Sequence, residues 1–274
     1  LLPHRIDGPT PTYKKSAITY GLSFAQGEII MTTDADCLVK PQWVESMVSQ
    51  YDEETGMVAG IIAYERSTEK SLLHKLQTLE FSGLVFAGVG AVGINSPIIC
   101  NGSNLSYRRK AFEEVGGFQG HDHLPSGDDD LLMQNLHNRT NWKIKYNLSP
   151  QAVNYTQPAA NVKKFLQQRS RWASKGAHYP GFKIFAMLLA VYLFYFALFL
   201  CLPLALLGWF SLKIWLIGFS LKIIPEILIV RKALLFLNRR DLLPYIFVAE
   251  ILQIPYILIA GFRGFFKLFK WNSL

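Results

Sequence analysis

Up to about residue 180, short apolar runs alternate with stretches of helical periodicity; beyond residue 183 the polar punctuation nearly disappears. Residues 1–13 are rich in proline and polar groups and predict a loop. Ala17, Tyr20, Leu22 and Phe24 give Lys14–Phe24 a helical pattern that Gly27 ends. Glu28–Thr33 predicts a short strand, Pro41 opens a helix over Gln42–Tyr51, and Met57–Ile62 predicts a buried strand. Glu69–Phe86 reads as a helix, with Gly83, Gly88, Gly90 and Gly93 making the following part pliable. Ile98–Cys100 and Leu105–Tyr107 predict strands flanking Asn101-Gly-Ser-Asn104; Arg109–Val115 is a short helix stopped by Gly116-Gly117-Phe118. A helix over Leu131–His137, strands at Trp142–Tyr146 and Ala152–Tyr155, and a long helix over Asn161–Lys175 follow. The alternation predicts an α/β domain with a largely parallel sheet.

Ile184–Leu212 contains no charged residue and exceeds the roughly 20 apolar residues that span a bilayer. Ile214–Val230 is a weaker segment, interrupted by Lys222, Pro225 and Glu226, and Leu242–Phe262 is a third despite Glu250. Tyr192, Tyr195, Trp209, Trp215 and Tyr245 suit interfacial positions. The pattern divides the chain into a mixed domain over 1–183 and a membrane region of two to three segments over 184–274. The chain starts at Leu1 without a signal-peptide pattern, which reads as a trimmed N-terminus.

Charge sharpens this picture. The formal net charge is +8, and from Leu131 to Pro225 there is no acidic residue at all. A one-sign stretch of this kind predicts an anionic partner, either a phosphate or lipid headgroups. Nucleic acid is disfavoured because the basic stretch runs into a membrane segment. The three cysteines, Cys37, Cys100 and Cys201, have no metal-ligand spacing and imply no disulfide framework, so a reducing, cytoplasmic setting is the default.

Three stations carry candidate chemistry. Asp34-Ala-Asp36 follows a strand directly, at the edge where open α/β sheets bind ligands. Two such carboxylates can share a divalent cation or form an ordinary solvated turn. Gly127-Asp128-Asp129-Asp130 sets three carboxylates at a helix start. Ser126-x-x-Asp129 fits a capping box, but capping needs one acid, and like charges in succession suit a cation or a proton transfer. Gln168, Arg171, Trp172 and Lys175 share a helix face with Lys164 before them: an amide, a fork-shaped cation and a flat aromatic. That set suits a diphosphate and a sugar ring, or a membrane-interface helix. His121-Asp122-His123 reads as a polar surface loop rather than a metal site.

In this order, followed by membrane segments, the three stations resemble membrane-bound family 2 glycosyltransferases of the processive type, such as cellulose, chitin and hyaluronan synthases. Lys14-Lys-Ser-Ala17 is similar to the family's Gly-Lys-x-x-Ala-Leu-Asn, and Asn101–Asn104 through Phe118 adds support. The resemblance implies a GT-A-like (Rossmann-like) α/β fold with C-terminal transmembrane helices, and inverting transfer from a nucleotide-sugar to a glycan or lipid-linked acceptor. It implies Asp36 and Asp34 as ligands of Mg²⁺ or Mn²⁺ at the diphosphate, and Asp129 as general base beside Asp128. Gln168, Arg171 and Trp172 would hold diphosphate and acceptor, Lys14 would assist at the nucleotide, and Asn101, Gly102 and Ser103 would line the acceptor side. An integral membrane protein with its catalytic domain on the cytoplasmic face follows, with membrane-complex subunits as further partners.

Asp128 stands where the family usually has Glu, and Tyr13 where it has Gly. The family's first strand and its base-binding acid should precede Lys14 by several dozen residues, which implies an N-terminally incomplete domain that does not turn over alone. The alternative is a catalytically silent membrane subunit that binds nucleotide or glycan for a partner.

Overall fold

The computed structural model describes residues 13–120, 124, 127–179 and 181–269. The N-terminal loop, the His121–His123 loop, Ser126 of the expected capping box and Lys270 lie outside the described residues. In chain order the elements are α1 (Tyr13–Phe24), β1 (Ile29–Thr32), α2 (Trp43–Val48), β2 (Thr55–Gly60), β3 (Ile62–Tyr64), α3 (Leu72–Gly93), β4 (Leu105–Arg108), α4 (Arg109–Glu114), α5 (Asp130–Arg139), β5 (Lys143–Asn147), β6 (Asn154–Thr156), α6 (Val162–Ala173), α7 (Phe182–Leu206), α8 (Leu212–Phe236) and α9 (Ile246–Phe265). The chain forms two compact units: residues up to Ile62 with Gly88–Thr156, and Ala63–Ala87 with Gln157–Leu274.

The first unit is built on a four-stranded sheet of order β1-β4-β2-β5. The expectation of a largely parallel sheet is corrected: β4 runs antiparallel to both β1 and β2, and only β2 and β5 are parallel. Ala59 of β2 pairs with Leu105 of β4, so the chain comes back to the sheet at the end where it left, without a crossover. This reversal has a chemical consequence. Thr32, the last residue of β1, faces Leu105, the first of β4. Asp34 and Asp36, which follow β1, and Asn101–Ser103, which precede β4, therefore lie at one edge.

Pleating splits the strands between two cores. Met57 and Ala59 face Tyr107, Leu132, Met133 and Leu136, while Val58 faces Trp43, Met47 and Ala152. Each large side chain buried this way contributes about 1.5–3 kcal/mol, and Leu132, Met133 and Leu136 hold α5 to the sheet, fixing its acidic start. Ile98–Cys100, expected as a strand, has no ladder partner. Beyond it, the fully buried Asn104 gathers the chain: its Nδ2 donates to Ile61 O and Ala152 O, both at 2.7 Å, and its Oδ1 accepts from Trp43 Nε1 at 2.9 Å.

The second unit is mainly helical. α3 continues as one helix through the glycines expected to loosen it. Its buried Leu79, Phe81 and Val85 offset the roughly 1 kcal/mol that each Gly costs a helix interior. α6 packs on α9, with the Phe165 and Tyr256 rings 5.3 Å apart edge to face. It stops at Ala173 and continues as a 3-10 turn, Ser174–His178, which contains Lys175. Among the described residues three stretches are long and apolar enough to cross a membrane: Leu72–Gly93, Phe182–Leu206 and Arg240–Phe265. The first was read from sequence only as a helix. Phe185, Leu189, Leu193, Phe196 and Leu200 of α7 are exposed, as lipid-facing side chains would be.

α8 is interrupted by charge for an internal reason. Lys222 is buried, donates to Gln253 (2.6 Å) and Glu250, and forms an ion pair with Glu226 (3.0 Å), while Tyr195 OH donates to Glu226 at 2.7 Å. The groups that break its hydropathy pattern thus satisfy one another across α7, α8 and α9.

Candidate active site

At the carboxyl edge of the first unit's sheet, Lys14 of α1 reaches between two acids. Its Nζ lies 2.7 Å from Asp34 Oδ1 and 2.9 Å from Asp128 Oδ2. Burial alone would lower the Lys14 pKa, but Asp128 and Asp34 outweigh it and raise the value above that of a free lysine. The ammonium stays charged at neutral pH, and the stabilisation it draws from its partners is lost only as pH rises past the ordinary lysine range.

Asp129 fixes the opposite wall. It is the N-cap of α5, where a capping box would have made it the third helical residue. Its Oδ1 accepts from Asp130 N at 2.8 Å and its Oδ2 from Gly102 N at 3.1 Å. One carboxylate therefore caps the helix and ties down the loop before β4. Asp130 is fully buried, and its Oδ1 accepts from Leu131 N at 3.0 Å. Gly127, at φ +91°, makes the turn into this run; a Cβ there would meet Leu131 Cδ1 at 2.5 Å.

Gly102 is where the cluster is tightest. A Cβ on it would lie 2.7 Å from Asp128 Oδ2 and 2.9 Å from Lys14 Nζ. Its carbonyl accepts from Thr32 Oγ1 at 2.9 Å, which ties it to the end of β1. Gly102→Ala is expected to push Lys14 and Asp128 apart and reduce turnover at least about 10-fold, with a loss of only 1–2 kcal/mol in stability, roughly the size of an overpacking defect. Turnover and thermal unfolding measured side by side check this; full activity would show that the Lys14–Asp128 contact is dispensable.

The remaining residues expected here divide by exposure. Asp36 is exposed and Asp34 half-exposed, whereas Gly102 and Ser103 are buried. Ser103 contributes its carbonyl to Asn154 Nδ2 at 3.1 Å, and Asn101 O accepts from Asn104 N at 3.0 Å. Cys37 lies beside the acidic pair: burial raises its thiol pKa, and Asp36 and Asp34 raise it further.

The second unit carries the Gln-x-x-Arg-Trp station on α6, whose N-cap Asn161 accepts from Lys164 N at 2.9 Å. The buried charge of α6 is one the motif does not include. Arg169 is about 5% exposed and forks onto Glu80 of α3, with Nε at 2.9 and 3.1 Å from the two carboxylate oxygens and Nη2 closing the pair. Its guanidinium lies 4.2 Å from the Trp172 ring centroid and 4.7 Å from that of Phe165. Gln168 Oε1 accepts from Arg169 Nη1. Burial opposes the charge on Arg169, but Glu80 more than compensates and raises its pKa. Sequence reading gave no role to Glu80 or Arg169, and named Asn104 only within the Asn101–Asn104 stretch. The signal for the first was a lone carboxylate in an otherwise apolar helical stretch, which needs a partner.

The sequence profile of glycosyl transferase family 21 matches residues 7–263. A glucosyl-dolichyl phosphate glucuronosyltransferase of Haloferax volcanii is 25% identical over 139 residues, which cover 47% of this chain and 43% of that protein. The chain thus matches less than half the length of this curated relative. These likenesses support glycosyl transfer and do not single out the cellulose or chitin synthase type suggested by the motifs. With the profile running almost from end to end, the chain belongs to glycosyl transferase family 21.

Proposed function

We propose that this protein transfers one sugar, with inversion, from a nucleotide-sugar to a hydroxyl of a lipid-linked acceptor at the membrane. The observation that carries this is the fixed carboxylate of Asp129 at the sheet edge, beside the Lys14–Asp34–Asp128 cluster. The acceptor class is suggested by the name of the halophile relative, whose acceptor is a sugar on dolichyl phosphate.

In this reading Asp129 takes the proton from the acceptor hydroxyl as its oxygen attacks the anomeric carbon. The bond from that carbon to the diphosphate breaks on the opposite face, which inverts the configuration, and the nucleoside diphosphate leaves. A base is required because the nucleophile is a hydroxyl; a free lipid phosphate would already be ionised. Lys14 offers its charge to the nucleotide. In the second unit, Gln168, Arg171 and Trp172 contact phosphate and acceptor, with Arg171 suited to phosphate oxygens and Trp172 to a sugar face.

Asp34 and Asp36 supply hard carboxylate oxygens, the donor set Mg²⁺ or Mn²⁺ takes from protein when phosphates complete its coordination. Among the described residues no group of three or more His, Cys, Asp or Glu could hold a metal alone. When bound, it supplies positive charge to the leaving diphosphate.

The reading places the catalytic unit on the cytoplasmic face. The deciding experiment incubates membranes containing the full-length protein with a panel of nucleotide-sugars and glycosylated polyprenyl phosphates. Mass spectrometry should show a lipid product heavier by one sugar, and NMR should show an inverted anomeric centre. A polymer would replace the lipid-acceptor reading with a processive one, and absence of transfer with every donor would favour a silent subunit.

A further inference from the structure

Arg169 lies between two residues of the Gln-x-x-Arg-Trp station without belonging to it. It stacks on Trp172 and donates to Gln168 while anchored to Glu80, whose Oε1 also accepts from Tyr256 OH at 3.0 Å. This anchoring decides the chemistry Gln168 presents. A carboxamide has one accepting end and one donating end, whereas a guanidinium can only donate. The Gln168 oxygen must therefore face Arg169, and Nε2 is left pointing away, with no acceptor among the described residues.

We propose that Arg169, locked by Glu80, is a positioning residue that holds Gln168 with its oxygen occupied, so that Gln168 meets substrate only as a hydrogen-bond donor, through Nε2, to an acceptor-only oxygen of a phosphate. The proposal rests on the reading of Gln168 as a substrate contact. The phosphate is either the diphosphate of the donor or the phosphate of the lipid acceptor, two sources of one chemistry. Arg169 does not touch substrate. It acts through the rotamer and polarity of its neighbour, and by stacking it also fixes the ring of Trp172.

Calorimetry on the full-length protein in detergent, with inorganic pyrophosphate as one probe and phosphatidylcholine vesicles containing a polyprenyl phosphate as the other, tests this without turnover. Gln168→Met should weaken binding of one probe by about 10–150-fold, the loss of one hydrogen bond to a charged group, and Gln168→Glu by more, because it sets a carboxylate against the phosphate. The affected probe identifies which phosphate Gln168 contacts. Arg169→Lys keeps the charge beside Glu80 but loses the fork, and should weaken the same probe by a similar factor. In the Gln168→Met background, Arg169→Lys should have no further effect, because the group it positions is gone. Full additivity of the two substitutions would overturn the proposal and leave Arg169 a purely structural ion pair. Should Arg169→Lys fail to fold, the polarity claim still stands or falls on Gln168→Glu: binding equal to wild type would show Gln168 acting as an acceptor and would overturn it. A wild-type protein that binds neither probe would remove the glycosyl-transfer reading together with this one. Wild-type binding with additive losses removes this proposal alone.

Discussion

Asp129→Asn is expected to lower kcat by about 10²–10⁴-fold, the usual contribution of a positioned general base. Donor affinity should be nearly unchanged, because Asp34, Asp36 and Lys14 remain in place. The substitution is not silent in the fold, however. Both Asp129 oxygens accept backbone hydrogen bonds, from Gly102 N and Asp130 N. An asparagine can accept at one end only, so its amide nitrogen must face one of those donors. The mismatch should cost about 1–3 kcal/mol, a price visible in thermal unfolding but too small to empty the folded state. Turnover and donor binding, measured at a temperature where both proteins are folded, separate the two effects. Retained turnover would show that Asp129 is a cap and a loop tie, with no part in proton transfer.

Glu80→Ala should have the largest effect on stability. Arg169 is buried and the Glu80 side chain is only 12% exposed, and Glu80 accepts from both Nε and Nη2 of the guanidinium. Removing one partner leaves a buried, uncompensated guanidinium, which typically costs about 3–5 kcal/mol. Arg169 cannot escape by losing its proton, since a guanidinium stays charged under any condition in which the protein is folded. A lowered unfolding temperature in detergent checks the expectation. The double substitution Glu80→Met with Arg169→Met should recover much of the loss, because two apolar groups of similar volume remove the buried charge altogether. A double substitution as unstable as the single one would mean that the pair does more than neutralise itself.

The two substitutions illustrate how unevenly the site could be read from the chain. Asp34, Asp36, Asp128 and Asp129 stood out because carboxylates crowded at a strand end or a helix start need a reason. Lys14 was legible only through its likeness to a family motif, and its bridge between Asp34 and Asp128 joins residues more than 90 positions apart along the chain. Arg169 was overlooked because it sits among other basic residues in a stretch without acids, where a cation looks like one more contact for a membrane surface. Its partner lies 89 residues earlier. The pairing of Lys222 with Glu226 and Glu250 shows the same thing: spacing suggested only that charged groups in an apolar segment face protein.

Sequence alone determined the local features. It set the helix and strand periods, the apolar length of α7 and α9, and the three polar stations in their order, because each depends on neighbours within a few turns. Tertiary structure decided the direction of β4, and with it which loops share an edge with Asp34 and Asp36. It also decided which arginine of α6 is buried and which end of Gln168 is free to donate. Strand direction and charge pairing are settled by hydrogen bonds and ion pairs between segments far apart in sequence, and a one-dimensional pattern contains no distance between them.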